Sequence, residues 1–520
     1  MLFNSGIFLL GLLPIALIGF FALGLAGRRK LAIIWLTLVS LVFYGWWNVA
    51  YVPLLLGSIV VNYAIGTVLT RRKVKSLLIA GIVLNVLLLG YYKYAGFLLA
   101  TVDRVLDFGL PVPMILLPLA ISFFTFQQIA FLCDAYEDVA AERSFANYCL
   151  FITFFPHLIA GPITHHKEMM PQFDDARIFK PQSRMLALGG TVFVVGLFKK
   201  VIIADTIALW ANPVFAAAGK GDPLQMLEAW GGALSYTLQI YFDFSGYSDM
   251  AIGLAMLFGI RLPFNFDSPL KARNIIDFWS RWHMTLTRFV TAYIYNPLSL
   301  SLTRRWLASG RPGLRRGKTS PKAFLVLLAV PTILSMVIIG WWHGAGWQFA
   351  AFGLVHGLFL TINHGWRMLK MRWQWRLDSD RLIHVVPSVL MTMGCVMIGL
   401  VFFRSPDLMT AFHLLGCMAG FNGVGLHSSE LLDWDTVRLQ LLLLSIVWFL
   451  PNVQEWLHHY ETGLGEVRSA TWFGRKQRVE NRMFAWQPTP VFAVVTGLIG
   501  FLAVTRALSA APTMFLYFQF

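Results

Sequence analysis

Stretches of about twenty apolar residues follow one another along this chain, each long enough to cross ~30 Å of hydrocarbon as a helix. A backbone in lipid must satisfy its own N–H and C=O groups, so continuous runs of this length dictate helices. Only 13% of the residues are charged, against the ~25% usual in soluble domains, and 57% are hydrophobic. The reading is an all-α, polytopic integral membrane protein. Spans are expected near 6–26, 31–49, 51–70, 76–98, 113–133, 185–210, 225–258, 323–342, 347–364, 383–403, 436–452 and 489–509, within an overall range of roughly 11–13 transmembrane helices. The stretches 146–164, 262–300 and 405–422 are broken by Pro, Gly or charges and suit re-entrant or interfacial helices.

Basic clusters set the orientation. Arg28-Arg29-Lys30 follows the first run and Arg71-Arg72-Lys73-Val74-Lys75 the third, which predicts cytoplasmic loops and an outside N-terminus. The first run lacks a basic leader and a small-residue cleavage site, so it reads as a retained span. Arg304 to Lys322, with seven Lys or Arg and no acid, belongs on the cytoplasmic side, as do 367–381 and 468–482. The net charge of +16 is therefore mostly topology, and its division among loops argues against nucleic-acid binding. Such loops attract anionic lipid or a phosphate-bearing donor. Cys133, Cys149, Cys395 and Cys417 stand alone, without metal or disulfide spacing, and suit packing; no metal is expected. With no repeat or soluble segment, residues 1–520 read as one membrane domain, with a motif-bearing core at about 110–410 and C-terminal helices over 430–520.

Polar residues inside the runs are the candidates for function, because an acid at mid-membrane costs ~2.5–3.5 kcal/mol on insertion scales. Asp243, Ser245, Tyr247 and Asp249 interrupt the 225–258 run. The two acids lie six apart, a poor fit to one helix face, and Ser245-Gly246 permits a break between them. Both acids read as architecture of a site. Downstream, Asp267 or Ser268 can cap a helix carrying Phe278, Trp282 and Phe289 on an apolar face and Arg281, His283 and Arg288 on a polar one. That helix is either interfacial or the lining of a substrate funnel, with Arg281 or Arg288 holding an anion. Trp342-His343-Gly344 and His356-Gly357 place two imidazoles in apolar sequence, where they need a partner, a cavity or a task. His364, near a span end, suits headgroup contact.

Taken together, Tyr241 to Gly253, Phe278-Trp279-Ser280-Arg281-Trp282-His283 and the Trp342-His343-Gly344/His356-Gly357 pair resemble the membrane-bound O-acyltransferases, in particular the bacterial alginate O-acetyltransferase branch. Pro118 to Gln128, Phe154 to Pro162, Gly196 to Lys200 with Asp205, and Phe402-Phe403-Arg404 fit the same pattern, so the likeness runs over about 1–410. Thr291-Ala292 stands where the family commonly has Arg-Asp, which removes one charged contact. The loop 301–322 is longer and more basic than usual, which bears on how a donor docks.

The resemblance implies a ring of helices around a central tunnel in the bacterial inner membrane, with His356 as the active-site histidine. His283 becomes a second catalytic residue, Asp205 an acid near the site and His343 a supporting residue beside Trp342 and Trp282. It further implies transfer of an acetyl group from a cytoplasmic thioester, acetyl-CoA or another, for O-acetylation of an extracytoplasmic polysaccharide such as alginate. Periplasmic acetyltransferase subunits would be partners and no cofactor would be permanently bound. His356 would serve as general base or as a transient acyl carrier. Cellulose, peptidoglycan or teichoic acid are alternative acceptors. From other classes, a transporter or flippase would suit the intramembrane acids, and a scaffold subunit is a third reading.

Overall fold

The computed structural model describes residues 1–520 apart from 110, 114, 138–143, 316–317, 375–380, 426–430, 466–485, 510, 512 and 517–520. The basic run 468–482 thus lies outside the described residues, as does 375–380 of the run 367–381. Among the described residues the chain is helical, with no β-sheet. Each of the expected spans overlaps a helix. Seven of these are long and apolar enough to cross a membrane. Others are short, such as Arg29–Gly45 with 17 residues, or carry too many polar groups, such as Met226–Leu257. The protein is a multi-pass membrane protein.

The helices that carry the site are numbered in chain order: α1 Lys75–Leu106, α2 Ile121–Tyr136, α3 Ser183–Lys220, α4 Met226–Leu257, α5 Pro321–His343, α6 Trp347–Arg372 and α7 Leu382–Arg404. α3 packs on α4, α5 on α6, and α7 on both α4 and α6.

Glycine sets how closely two of these pairs approach. A Cβ at Gly196 would stand 2.6 Å from the Gly246 carbonyl oxygen, and one at Gly253 2.6 Å from that of Gly189, so α3 and α4 meet backbone to backbone. Without a hydrophobic force between helices in lipid, such small-residue contact supplies the packing. Between α5 and α6, Gly340, Gly353 and Gly357 make the equivalent close approach.

Four expectations are corrected. The run at 113–133 becomes helical only at Ile121, after Ala120 in the left-handed region at φ 61°. α4 runs unbroken for 32 residues through Ser245-Gly246, because Gly246 serves close approach to α3 and leaves the helix intact. The single amphipathic helix expected around 277–289 is two short ones, Ile275–Trp279 and Met284–Val290, with His283 between them at φ 45°. Neither Asp267 nor Ser268 caps it; Asn274 does, its side chain accepting from the Asp277 N–H. Phe278, Trp282 and Phe289 are buried, so this segment packs inside the protein.

Candidate active site

His343 ends α5, three residues turn the chain, and α6 returns with His356 nine positions after Trp347, ~14 Å along the helix at 1.5 Å per residue. Both rings are buried. The indole Nε1–H of Trp279 donates to His356 Nδ1 at 3.3 Å, and the two rings meet edge to face at 5.2 Å. Phe352 packs edge-on at 4.7 Å. On its far side the His356 Nε2 edge rests on Gly399 of α7, where any side chain would overlap the ring.

Phe352 also touches His343, at 6.0 Å, and therefore stands between the two histidines of the hairpin. The end of α5 is held by α1. Lys93 Nζ donates to the carbonyl oxygens of Trp342 at 2.5 Å and His343 at 3.2 Å, and the Tyr94 hydroxyl donates to that of Trp341 at 2.7 Å. A cation at a helix C-terminus meets both the orphan carbonyls and the negative end of the dipole.

His283 is fully buried, and its positive φ is a conformation non-glycine residues adopt at a cost of about 1–3 kcal/mol. Asn265 holds it: His283 Nδ1 and Asn265 Oδ1 are 3.0 Å apart, and the Met284 N–H donates to the Asn265 carbonyl at 2.9 Å. Phe244 packs edge-on to the ring at 4.8 Å, and Trp342 lies 6.2 Å away. Trp342 touches His343 as well, at 4.9 Å. Its indole and the Phe352 ring thus link His283, His343 and His356 into one aromatic-walled cluster.

The acids of α4 do not point at this cluster as lone charges. Lys200 Nζ lies 2.6 Å from Asp243 and 2.9 Å from Asp205, while Lys199 Nζ lies 2.6 Å from Asp249. The two lysines begin a π-helical turn, Lys199–Ala204, within α3. The segment 513–516 closes over the group: Thr513 Oγ1 donates to Asp205 at 2.6 Å, and the Leu516 N–H donates to Asp243 at 3.0 Å. Phe515 stacks on Tyr247 at 4.7 Å, with Phe3 on the other face at 4.8 Å. Ser245 is buried on the same helix.

Arg281 and Arg288, expected to hold a substrate anion, each hold a carboxylate of this chain. Arg281 Nε is 2.7 Å from Asp277, and Arg288 makes a two-pronged pair with Glu168 at 2.5 and 2.9 Å. Trp282 stacks on Phe278 at 5.6 Å and walls the segment. Among the described residues no three His, Cys, Asp or Glu side chains are placed to share a metal ion.

Four contributors escaped the sequence reading: Lys93, Trp279, Gly399 and the segment 513–516. Lys93 was findable, as a cation inside the 76–98 run. Trp279 and Gly399 meet His356 only through the fold.

The model of the membrane-bound O-acyltransferase family matches residues 119–310. A peptidoglycan O-acetyltransferase of Helicobacter pylori is 36% identical, covering 100% of this chain and 98% of its own length. A protein of Pseudomonas aeruginosa named as a probable alginate O-acetylase is 35% identical over 81% of this chain and 75% of its own. A teichoic acid D-alanyltransferase of Streptococcus thermophilus is 28% identical over 51% and 60%.

Proposed function

The chain belongs to the membrane-bound O-acyltransferase family and is an acyltransferase, and on that premise we propose that it takes an acetyl group from a cytoplasmic thioester, acetyl-CoA or a similar donor, for O-acetylation of a cell-envelope polysaccharide. The observation that carries the site is the packing of His283, His343 and His356 around Trp342 and Phe352. His283 and His356 are the reacting pair, and His343 supports them. The acids that suited a transporter are neutralised within the fold by Lys199 and Lys200, which leaves the histidine cluster as the place for chemistry.

Peptidoglycan and an alginate-like exopolysaccharide are the acceptors favoured by the relatives' names. The basic loops 28–30, 71–75 and 304–322 orient the chain with its N-terminus outside the bacterial inner membrane. The acetyl group then passes to the outer face, where separate periplasmic acetyltransferase subunits complete the transfer. Base-released acetate from isolated peptidoglycan and from exopolysaccharide, compared between cells with and without this gene, tests the reading. Loss of acetate from one polymer supports it and names the acceptor; unchanged acetate in both overturns it.

A further inference from the structure

The last membrane-spanning helix, α8, Pro490–Ser509, leans on the protein mainly through its second half, where its buried residues, Gly500, Ala503 and Ala507, all lie. A Cβ at Gly500 would touch Val194 of α3 at 3.4 Å, whereas one at Gly497 or at Gly190 would meet nothing within 4 Å. The gap is a groove of about 670 Å³, inside the ~300–1,000 Å³ range of small-ligand sites, with Leu186, Gly190 and Val194 on one wall and Ala493, Gly497 and Gly500 on the other. Val491, Val494, Leu498 and Phe501 of the same helix are exposed apolar side chains, so the groove opens on a lipid-facing surface.

One end of the groove is polar. Trp486 lines it, and its indole N–H is buried and meets no acceptor among the described residues, a state that a buried tryptophan seldom keeps. The amides of Val491 and Phe492 lie in the first turn of α8, where a helix has no acceptors of its own for them and its dipole favours an anion. Arg184, three residues before Ala187 of the α3 wall, lies over the Tyr460 ring at 4.9 Å, and Tyr460 meets Trp486 edge to face at 5.2 Å. Arg184 pairs with no carboxylate among the described residues. At the other end of α8 a Cβ at Gly6 would stand 2.8 Å from Leu508, and Asn4 Nδ2 donates to the Thr513 carbonyl at 3.4 Å. With the N-terminus outside, the polar end of the groove faces the cytoplasm.

We propose that this groove is the site of an inner-leaflet phospholipid, with an acyl chain along Gly190, Val194, Ala493 and Gly497 and the phosphate at the end marked by Trp486, the first turn of α8 and Arg184. An apolar length with donors and a cation at one end has the layout of an amphiphile, and basic pockets between spans on the cytoplasmic side hold lipid headgroups. A second helix packed here would leave the Trp486 N–H unmet, and a free phosphate would leave the apolar length empty. Indoles in membrane proteins sit at headgroup level, which is where Trp486 stands, just ahead of a span. The bound lipid braces the first half of α8, and α8 leads into the segment 513–516 that closes over Asp205 and Asp243. The site is separate from the chemistry at His283 and His356; only the choice of leaflet rests on the orientation proposed above.

The test is a titration of delipidated, full-length protein in mild detergent with phosphatidylglycerol, read by native mass spectrometry. The natural sequence should retain a single tightly held lipid. Trp486→Phe, which keeps the ring and loses the donor, should bind it about tenfold more weakly, the loss of a hydrogen bond to a charged group. Gly497→Leu, which fills the groove, should not retain it, while Gly57→Leu, on the span Val52–Arg71 with equally open space at its Cβ, should bind as the natural sequence does. Added phosphatidylglycerol should raise the thermal midpoint of the natural sequence and of Gly57→Leu and leave that of Gly497→Leu unchanged. Retention by Gly497→Leu, undiminished binding by Trp486→Phe, or equal binding of a diacylglycerol that lacks the phosphate overturns the proposal. So does a dimer of the natural sequence that Gly497→Leu dissociates, which would make the groove a helix-docking face between copies.

Discussion

Lys200 and Asp243 form a 2.6 Å ion pair between α3 and α4 in which the side chains are 5% and 1% exposed. Removing one partner of such a pair leaves an unpaired buried charge and costs ~3–5 kcal/mol, whereas replacing both by apolar residues is often close to neutral. Lys200→Met, which strands the Asp243 carboxylate, should therefore lower the thermal midpoint of the detergent-solubilised protein sharply, and Asp243→Leu, which leaves Lys200 paired with Asp205, should lower it less. The double variant should recover much of the loss, since Asp205 keeps Thr513 as a donor. Additive losses would show that the pair does not hold these helices together.

Gly399 offers a sharper test of geometry. A methyl group there overlaps the Nε2 edge of His356, while one at Gly394, five residues earlier on α7, meets open space. Displacing a reacting group by ~1 Å can cost 10²-fold in rate. Gly399→Ala should therefore lose activity by about that factor and Gly394→Ala should not, measured as acetyl-CoA consumption at equal protein content.

Much of this architecture is legible from the residues, and the failures have specific causes. Span positions follow from hydrocarbon thickness, which is why the helices at 8–25, 52–71 and 490–509 stand where apolar runs predict them. Gly246 misled because glycine weakens a helix in water but draws helices together in lipid. His283 misled because periodicity carries no sign of a positive φ. Arg288 looked available for substrate because its carboxylate partner, Glu168, is 120 residues away in sequence. His343 and His356 were visible as imidazoles in apolar sequence, and His283 and Trp342 through the family resemblance, but the Phe352 ring between His343 and His356 was visible only as apolar filler.

Lys93 is predicted to matter for the shape of the site. Lys93→Met would leave the carbonyls of Trp342 and His343 without their donor, at about 1–3 kcal/mol for an unsatisfied buried group. The variant should remain folded but turn over acetyl-CoA more slowly, because Trp342 stands between His283 and His343. A variant with a lowered thermal midpoint and full activity would confine Lys93 to stability.

The glycine contacts between α3 and α4 make a further prediction. Gly253→Ala would push against the Gly189 carbonyl and the Phe193 backbone, and overpacking of this kind costs about 1–3 kcal/mol. Gly190→Ala, on the neighbouring position of α3 with open space around it, should be silent. Thermal unfolding in the same detergent compares the two; equal midpoints would show that α3 and α4 are not packed backbone to backbone.

The central claim is that this chain moves an acetyl group through the cluster at His356. Its most direct measurement is consumption of radiolabelled acetyl-CoA by purified protein in nanodiscs, supplied with the periplasmic acetyltransferase subunits and a muropeptide or a mannuronate oligosaccharide, for the natural sequence and for His356→Gln. The expected result is loss of ~10²–10⁴ in rate in the variant at an unchanged thermal midpoint. Undiminished consumption by a folded His356→Gln protein would contradict it.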